Sequence, residues 1–132
     1  MNYFYHFTGD LPNYLKISIN SLLTVDEEAK IYLCSDSNPK YKNIDYLNPV
    51  DLQSTITKEF IELDIYKNTP YEKNLNPLWY SSILRIFAIS DFLKFTQLNE
   101  TVHFDTDVIV YKPFEELKNC VSNNAVNITK LN

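Results

Sequence analysis

Two aspartates one residue apart, Asp105 and Asp107 in the run Phe104-Asp105-Thr106-Asp107, are the residues of this chain whose types and spacing point most directly to chemistry. On an extended backbone, side chains at i and i+2 lie on one side, so the pair can offer carboxylate oxygens to a single hard cation such as Mn²⁺ or Mg²⁺. Two carboxylates leave most of an octahedral shell open, and diphosphate oxygens are suited to fill it. The plain alternative is a solvated turn between two strands. Val102, His103 and Phe104 lead into the pair and Val108, Ile109 and Val110 lead out of it. These apolar flanks place both carboxylates at a strand end, where ligands of open α/β sheets bind.

Arg85 is the single arginine of the chain and falls inside a long apolar helical pattern, on one stripe with Ser81 and Ser82. A buried guanidinium needs an anion. It can pair structurally with Asp105 or turn its planar fork to a phosphate or sugar oxygen; the sequence leaves both open, and in either case Arg85 is expected to point toward Asp105. Trp79 is expected to pack in the core rather than stack on a ligand ring. His6 and His103 lie in apolar runs and are expected as hydrogen-bonded core imidazoles rather than catalytic ones.

The elements that must position these groups follow from periodicity. Tyr3 to Phe7 is almost wholly aromatic and predicts a buried strand, with Thr8, Gly9, Asp10 and Pro12 supplying a turn. Leu15, Ile19, Leu22 and Leu23 predict a helix over Tyr14 to Leu23. A strand over Lys30 to Leu33 follows, stopped by Ser35, Asp36, Ser37, Asn38 and Pro39. Strand, helix, strand with short links implies a parallel crossover and therefore an α/β sheet, with Tyr3 to Phe7 central between Lys30 to Leu33 and Thr101 to Phe104. A short strand over Ile44 to Leu47, a helix between Asp51 and Phe60 and a polar stretch from Asn68 to Pro77 come next. Leu78 to Phe95 is the strongest helical pattern, with Trp79, Ile83, Ile86, Phe87, Phe92 and Leu93 around most of its circumference, which predicts a buried helix. Strands over Thr101 to Phe104 and Val108 to Tyr111 flank the acidic pair, and a short helix is expected near Phe114 to Leu117.

Composition bounds the function. The 132 residues, 45% hydrophobic and 22% charged, describe one folded domain rather than a disordered chain. A net charge of -5 with one arginine argues against nucleic acid as the main partner. The one glycine, Gly9, excludes the Gly-rich phosphate loops. Cys34 and Cys120 show neither metal nor disulfide-framework spacing, and Cys34 reads as a small buried hydrophobe, which fits a reducing compartment. No run approaches the length of a transmembrane span and Met1 to Phe7 has no leader pattern, so a cytoplasmic chain without a transmembrane segment is expected.

Ser81-Ser82-Ile83-Leu84-Arg85-Ile86, followed about twenty residues later by Phe104-Asp105-Thr106-Asp107, resembles the metal-dependent GT-A glycosyltransferases. The sugar-binding DXD group and the clostridial glucosylating toxins carry S-D-x-L-R-x, a helix and then Y-L-D-x-D. Asp107-Val108-Ile109-Val110-Tyr111-Lys112-Pro113-Phe114 with Glu116-Leu117 is similar to the glycogenin and lipopolysaccharide galactosyltransferase group, and His6-Phe7-Thr8-Gly9 is similar to the end of its first strand. The resemblance implies a Rossmann-like, mostly parallel sheet and a nucleotide diphosphate sugar as donor. It implies base contacts at Phe7 and Thr8, a donor contact at Arg85, a ribose or metal-water contact at Asp105, and Mn²⁺ or Mg²⁺ at Asp105 and Asp107. Ser82 stands where the toxin group has an aspartate holding sugar hydroxyls.

Family members continue well past their acidic pair, whereas 25 residues follow Asp107 here. The expectation is a single nucleotide-sugar-binding domain over 1-132, truncated after the DXD strand, with the acceptor half missing. The implied activity is sugar transfer to an unknown glycan, lipid or protein acceptor. The alternative is a non-catalytic or degenerate nucleotide-sugar-binding module, its cleft completed by a second copy or a partner chain. A third reading takes Asp105 as the nucleophile of a haloacid dehalogenase-type phosphatase; the motif then falls late in the chain, and Ile109 departs from its usual Thr or Val.

Overall fold

A computed structural model describes residues 1-37, 41-63, 67-70 and 77-120. Four parallel strands form one sheet: β1 (Asn2–Phe7), β2 (Lys30–Ser35), β3 (Ile44–Leu47) and β4 (Val102–His103), in the order β3-β2-β1-β4. The helices are α1 (Asn13–Val25), α2 (Pro49–Leu52), α3 (Thr55–Leu63) and α4 (Pro77–Thr96), with a closing 3₁₀ helix at Phe114–Cys120. This is a mixed α/β fold, and β1 lies between β2 and β4 as its apolar sequence requires.

Alternation along β1 divides the core into two halves. Tyr3 and Tyr5 meet Leu15, Ile19 and Leu22 of α1 and Ile31 and Leu33 of β2. Phe4 meets Phe92 of α4 together with Tyr32, Cys34 and Leu52. The α1 stripe is the one its periodicity predicts, extended to Asn13–Val25. Burial also pushes the Cys34 thiol up to about 12, in keeping with a small core hydrophobe.

Four expectations are corrected. The helix between Asp51 and Phe60 is two helices, because Ser54 ends the first and caps the second: its hydroxyl accepts the Thr57 N–H at 3.3 Å, while its own N–H donates to Asp91 Oδ2 at 3.1 Å. Asp91, buried on α4, also accepts from the Thr57 hydroxyl at 2.5 Å, so a distant carboxylate sets this break.

Helix α4 is not buried all round. Leu84, Asp91 and Phe92 face inward, whereas Trp79 is 53% and Ile86 67% exposed. Trp79 is therefore not a core residue. The sheet, α2 and α3 (through Phe60 against Phe87, ring centroids 4.5 Å apart) pack on parts of the helix, and the face that carries Ile86 is left exposed.

No strand forms at Val108 to Tyr111. The Val108 N–H bonds back to the Asp105 carbonyl at 3.2 Å, and the Val110 N–H goes to Ser21 Oγ of α1 at 2.9 Å rather than to a strand. Asp105 and Asp107 consequently sit on a turn, not on extended backbone. The fourth correction, at His6, belongs with the site below. Asn38, Pro39 and residues 71-76 of the polar stretch lie outside the described residues.

Candidate functional site

A cleft of about 870 Å³ opens at the C-terminal end of β1, between the starts of α1 and α4 and the turn after β4. Phe7, Thr8, Ser82, Arg85, Asp105 and Asp107, the six residues nominated from sequence, all line it. They arrive in pairs by three routes. Phe7 and Thr8 leave the carboxyl end of β1; Ser82 and Arg85 lie one turn apart on α4; the two aspartates ride the turn after β4.

The Arg85 guanidinium donates to Asp105 Oδ1, as a cation inside an apolar helix must when it finds a carboxylate. The pair is partly exposed, with side-chain accessibilities of 26% and 54%. Arg85 Nε is buried without a hydrogen-bond partner, so the fork is only partly satisfied. Ser82 does not project freely: its hydroxyl donates to the Leu78 carbonyl at 2.8 Å, a bond within its own helix.

Gly9 turns the chain with φ +93, a left-handed value that favours glycine, and its N–H donates to Asp36 Oδ2 at 2.9 Å. That bond ties the loop after β1 to the loop after β2. Asp36 lines the cleft as well, and so does Tyr14 from the first turn of α1. Neither was nominated from sequence. The signal available was position alone, since both follow strand ends or begin a helix.

The two histidines behave differently. His103 Nδ1–H donates to the Phe4 carbonyl at 2.9 Å, leaving Nε2 as the bare nitrogen, 3.9 Å from Asp105 Oδ1. Desolvation lowers the His103 pKa, with the Phe4 carbonyl and Asp105 opposing and Arg85 assisting. His6 is 4% exposed, as a core residue should be, yet it lines the cleft and its ring makes no hydrogen bond among the described residues. The hydrogen bond expected of a core imidazole is thus found at His103, which is half-buried rather than core, and among the described residues not at His6. Burial first, then the charge of Arg85, push His6 down to about 4.

That shift has a measurable consequence. Below its ordinary pKa of 6.5 an unfolded His6 takes a proton that the folded ring refuses until about pH 4. Stability is therefore complete above pH 6.5 and falls as the pH drops through this window, by up to about 3 kcal/mol. Urea unfolding at pH 7.5 and 4.5 should show a wild-type loss exceeding that of His6→Gln by about 2 to 3 kcal/mol; equal losses would contradict the assignment.

A metal would have two hard oxygen donors here, Asp105 and Asp107. Among the described residues, no group of three His, Cys, Asp or Glu side chains could enclose an ion. The set suits a cation that keeps most of its shell for water and ligand phosphates, the habit of Mg²⁺ in phosphate-bound sites. No helix among the described residues is long and apolar enough to cross a membrane. Comparison of the chain with protein-family models, with curated proteins and with solved structures finds no match.

Proposed function

We propose that this domain binds a nucleotide diphosphate sugar together with Mn²⁺ or Mg²⁺ in the cleft, as the donor-binding part of a GT-A type glycosyltransferase. One observation carries the reading: six residues nominated from three separate stretches of sequence line the same cleft, with Arg85 against Asp105. In sugar transfer, the bond from the anomeric carbon to the diphosphate oxygen breaks and a bond to an acceptor hydroxyl oxygen forms, the hydroxyl proton being lost. A divalent ion on Asp105 and Asp107 would supply charge neutralisation for the departing diphosphate. Arg85 offers a planar fork with an unused Nε–H for phosphate or sugar oxygens. Phe7 and Thr8 form the wall assigned to the base, and the main-chain tie from Gly9 to Asp36 holds that wall in place.

A second reading, a donor-binding module completed by another chain, is favoured by Leu78, which lines the cleft and is 71% exposed on its rim. A second protein lying across the rim would cover it.

Thermal unfolding with UDP, GDP and CDP, each with and without Mn²⁺, tests the shared premise. Saturation at a hundredfold excess over Kd contributes about 2.7 kcal/mol, which should raise Tm by about 5 to 10 °C for one nucleotide and only in Mn²⁺. No shift with any of them would remove both readings. Release of UDP from UDP-glucose in Mn²⁺ separates the enzyme from the module, which binds without turnover.

A further inference from the structure

We propose that His6 is a ligand-contacting, specificity-determining residue that hydrogen-bonds a hydroxyl of the bound sugar through its neutral imidazole. The inference rests on the donor-binding reading above. It begins from an unengaged group: a ring that is 4% exposed, lines the cleft and has no hydrogen bond among the described residues. A ring nitrogen that no described neighbour engages and that borders the cleft is available to a polar group of a ligand that enters it.

Its position is specific. β1 and β4 pair Tyr3 with Val102 and Phe4 with His103; His6 follows two residues beyond Phe4, Asp105 two residues beyond His103, and both line the cleft. His6 also shares with Phe4 the side of the sheet on which α4 lies. The ring therefore belongs to the part of the cleft where Arg85 meets Asp105, and the charge of Arg85 is felt at His6.

The partner's class follows from the ring's chemistry. A neutral imidazole carries one donor and one acceptor nitrogen, and a hydroxyl, which both gives and takes a hydrogen bond, can use either. A phosphate oxygen can use only the donor, and Arg85 is the better donor to it. Several groups nearby are already engaged, although Arg85 Nε and His103 Nε2 are not. The Ser82 hydroxyl donates into its own helix, His103 Nδ1–H is held by Phe4, and the Asp36 carboxylate takes the Gly9 N–H. His6 faces the cleft with both of its hydrogen-bonding capacities unused among the described residues.

The test reads the ring and the affinity separately. Long-range ¹H–¹⁵N spectra of the wild type, with Mn²⁺ and then UDP, UDP-glucose or glucose alone, follow the His6 ring nitrogens; calorimetry on wild type, His6→Gln and His6→Phe gives the affinities. The expected result is movement of the His6 ring resonances with UDP-glucose but not with UDP. His6→Phe should weaken UDP-glucose by about 3- to 10-fold, the worth of one neutral hydrogen bond, while leaving UDP unchanged. His6→Gln, which keeps a donor and an acceptor, should restore most of the loss.

Unmoved ring resonances in a complex that does form, or an unchanged ratio of UDP-glucose to UDP affinity in His6→Phe, would overturn the proposal. If His6→Phe does not fold, the wild-type spectra and His6→Gln decide. If wild type binds neither nucleotide, the donor-binding reading fails, and glucose alone then judges His6: ring movement supports a hydroxyl contact, and its absence overturns it.

Discussion

Asp107→Asn will remove the coupling between Mn²⁺ and nucleotide while leaving the fold intact. Asp107 is exposed on the turn after β4, lines the cleft and makes no ion pair among the described residues, so its charge is available to a cation and is not needed for folding. Asp105 is different, because Arg85 already engages it. Losing one of two charged oxygen ligands should weaken the ion and, through it, the nucleotide by at least about tenfold. Calorimetry of UDP binding in Mn²⁺ and in chelator, on wild type and Asp107→Asn, gives four affinities. Wild type in Mn²⁺ should stand apart from the other three. Four equal affinities would reduce the pair to a solvated turn.

Phe92→Ala will be the most destabilising single substitution tested, at about 3 to 5 kcal/mol. Phe92 is fully buried, stacks on Phe4 with ring centroids 4.3 Å apart, and meets Tyr32 at 5.0 Å. It is the main apolar anchor of α4 on the sheet, so its loss leaves a cavity at the seam that sets the position of Arg85. Ile86→Ala, two turns earlier on the 67%-exposed outer face, should cost less than about 1 kcal/mol. Urea unfolding of the two variants reads the difference. Equal losses would mean that the outer face is covered in solution, the outcome a partner chain on α4 would produce.

How much of this was legible beforehand differs from residue to residue. Tyr3, Phe4 and Tyr5 announce a strand covered on both faces, and a strand of that kind belongs in the middle of a parallel sheet. Arg85 could be aimed at Asp105 because a lone guanidinium in an apolar helix has few ways to avoid an unpaired charge. Asp105 and Asp107 could be nominated because ligand groups of α/β sheets gather at the carboxyl ends of strands, whereas Phe7, Thr8 and Ser82 were nominated through the resemblance.

Other features carried no local trace. The outer face of α4 is as apolar in sequence as the inner one, and only the number of elements available to cover it leaves Trp79 and Ile86 exposed. The break between α2 and α3 depends on a carboxylate 37 residues away from Ser54. The Asp105 turn replaces an extended run because Val110 finds Ser21 instead of a neighbouring strand.

His6 and His103 make the division plainest. Both sit in apolar strand sequence; the half-buried His103 finds a backbone carbonyl, and the buried His6 finds no hydrogen-bond partner among the described residues. The sequence by itself determined which side chains alternate across the sheet and which charged groups must meet, because periodicity and the cost of an unpaired charge act on short stretches and on few candidates. Only the tertiary structure decided which faces stay uncovered and which polar atoms remain unpaired, because each depends on what distant segments bring to the same place.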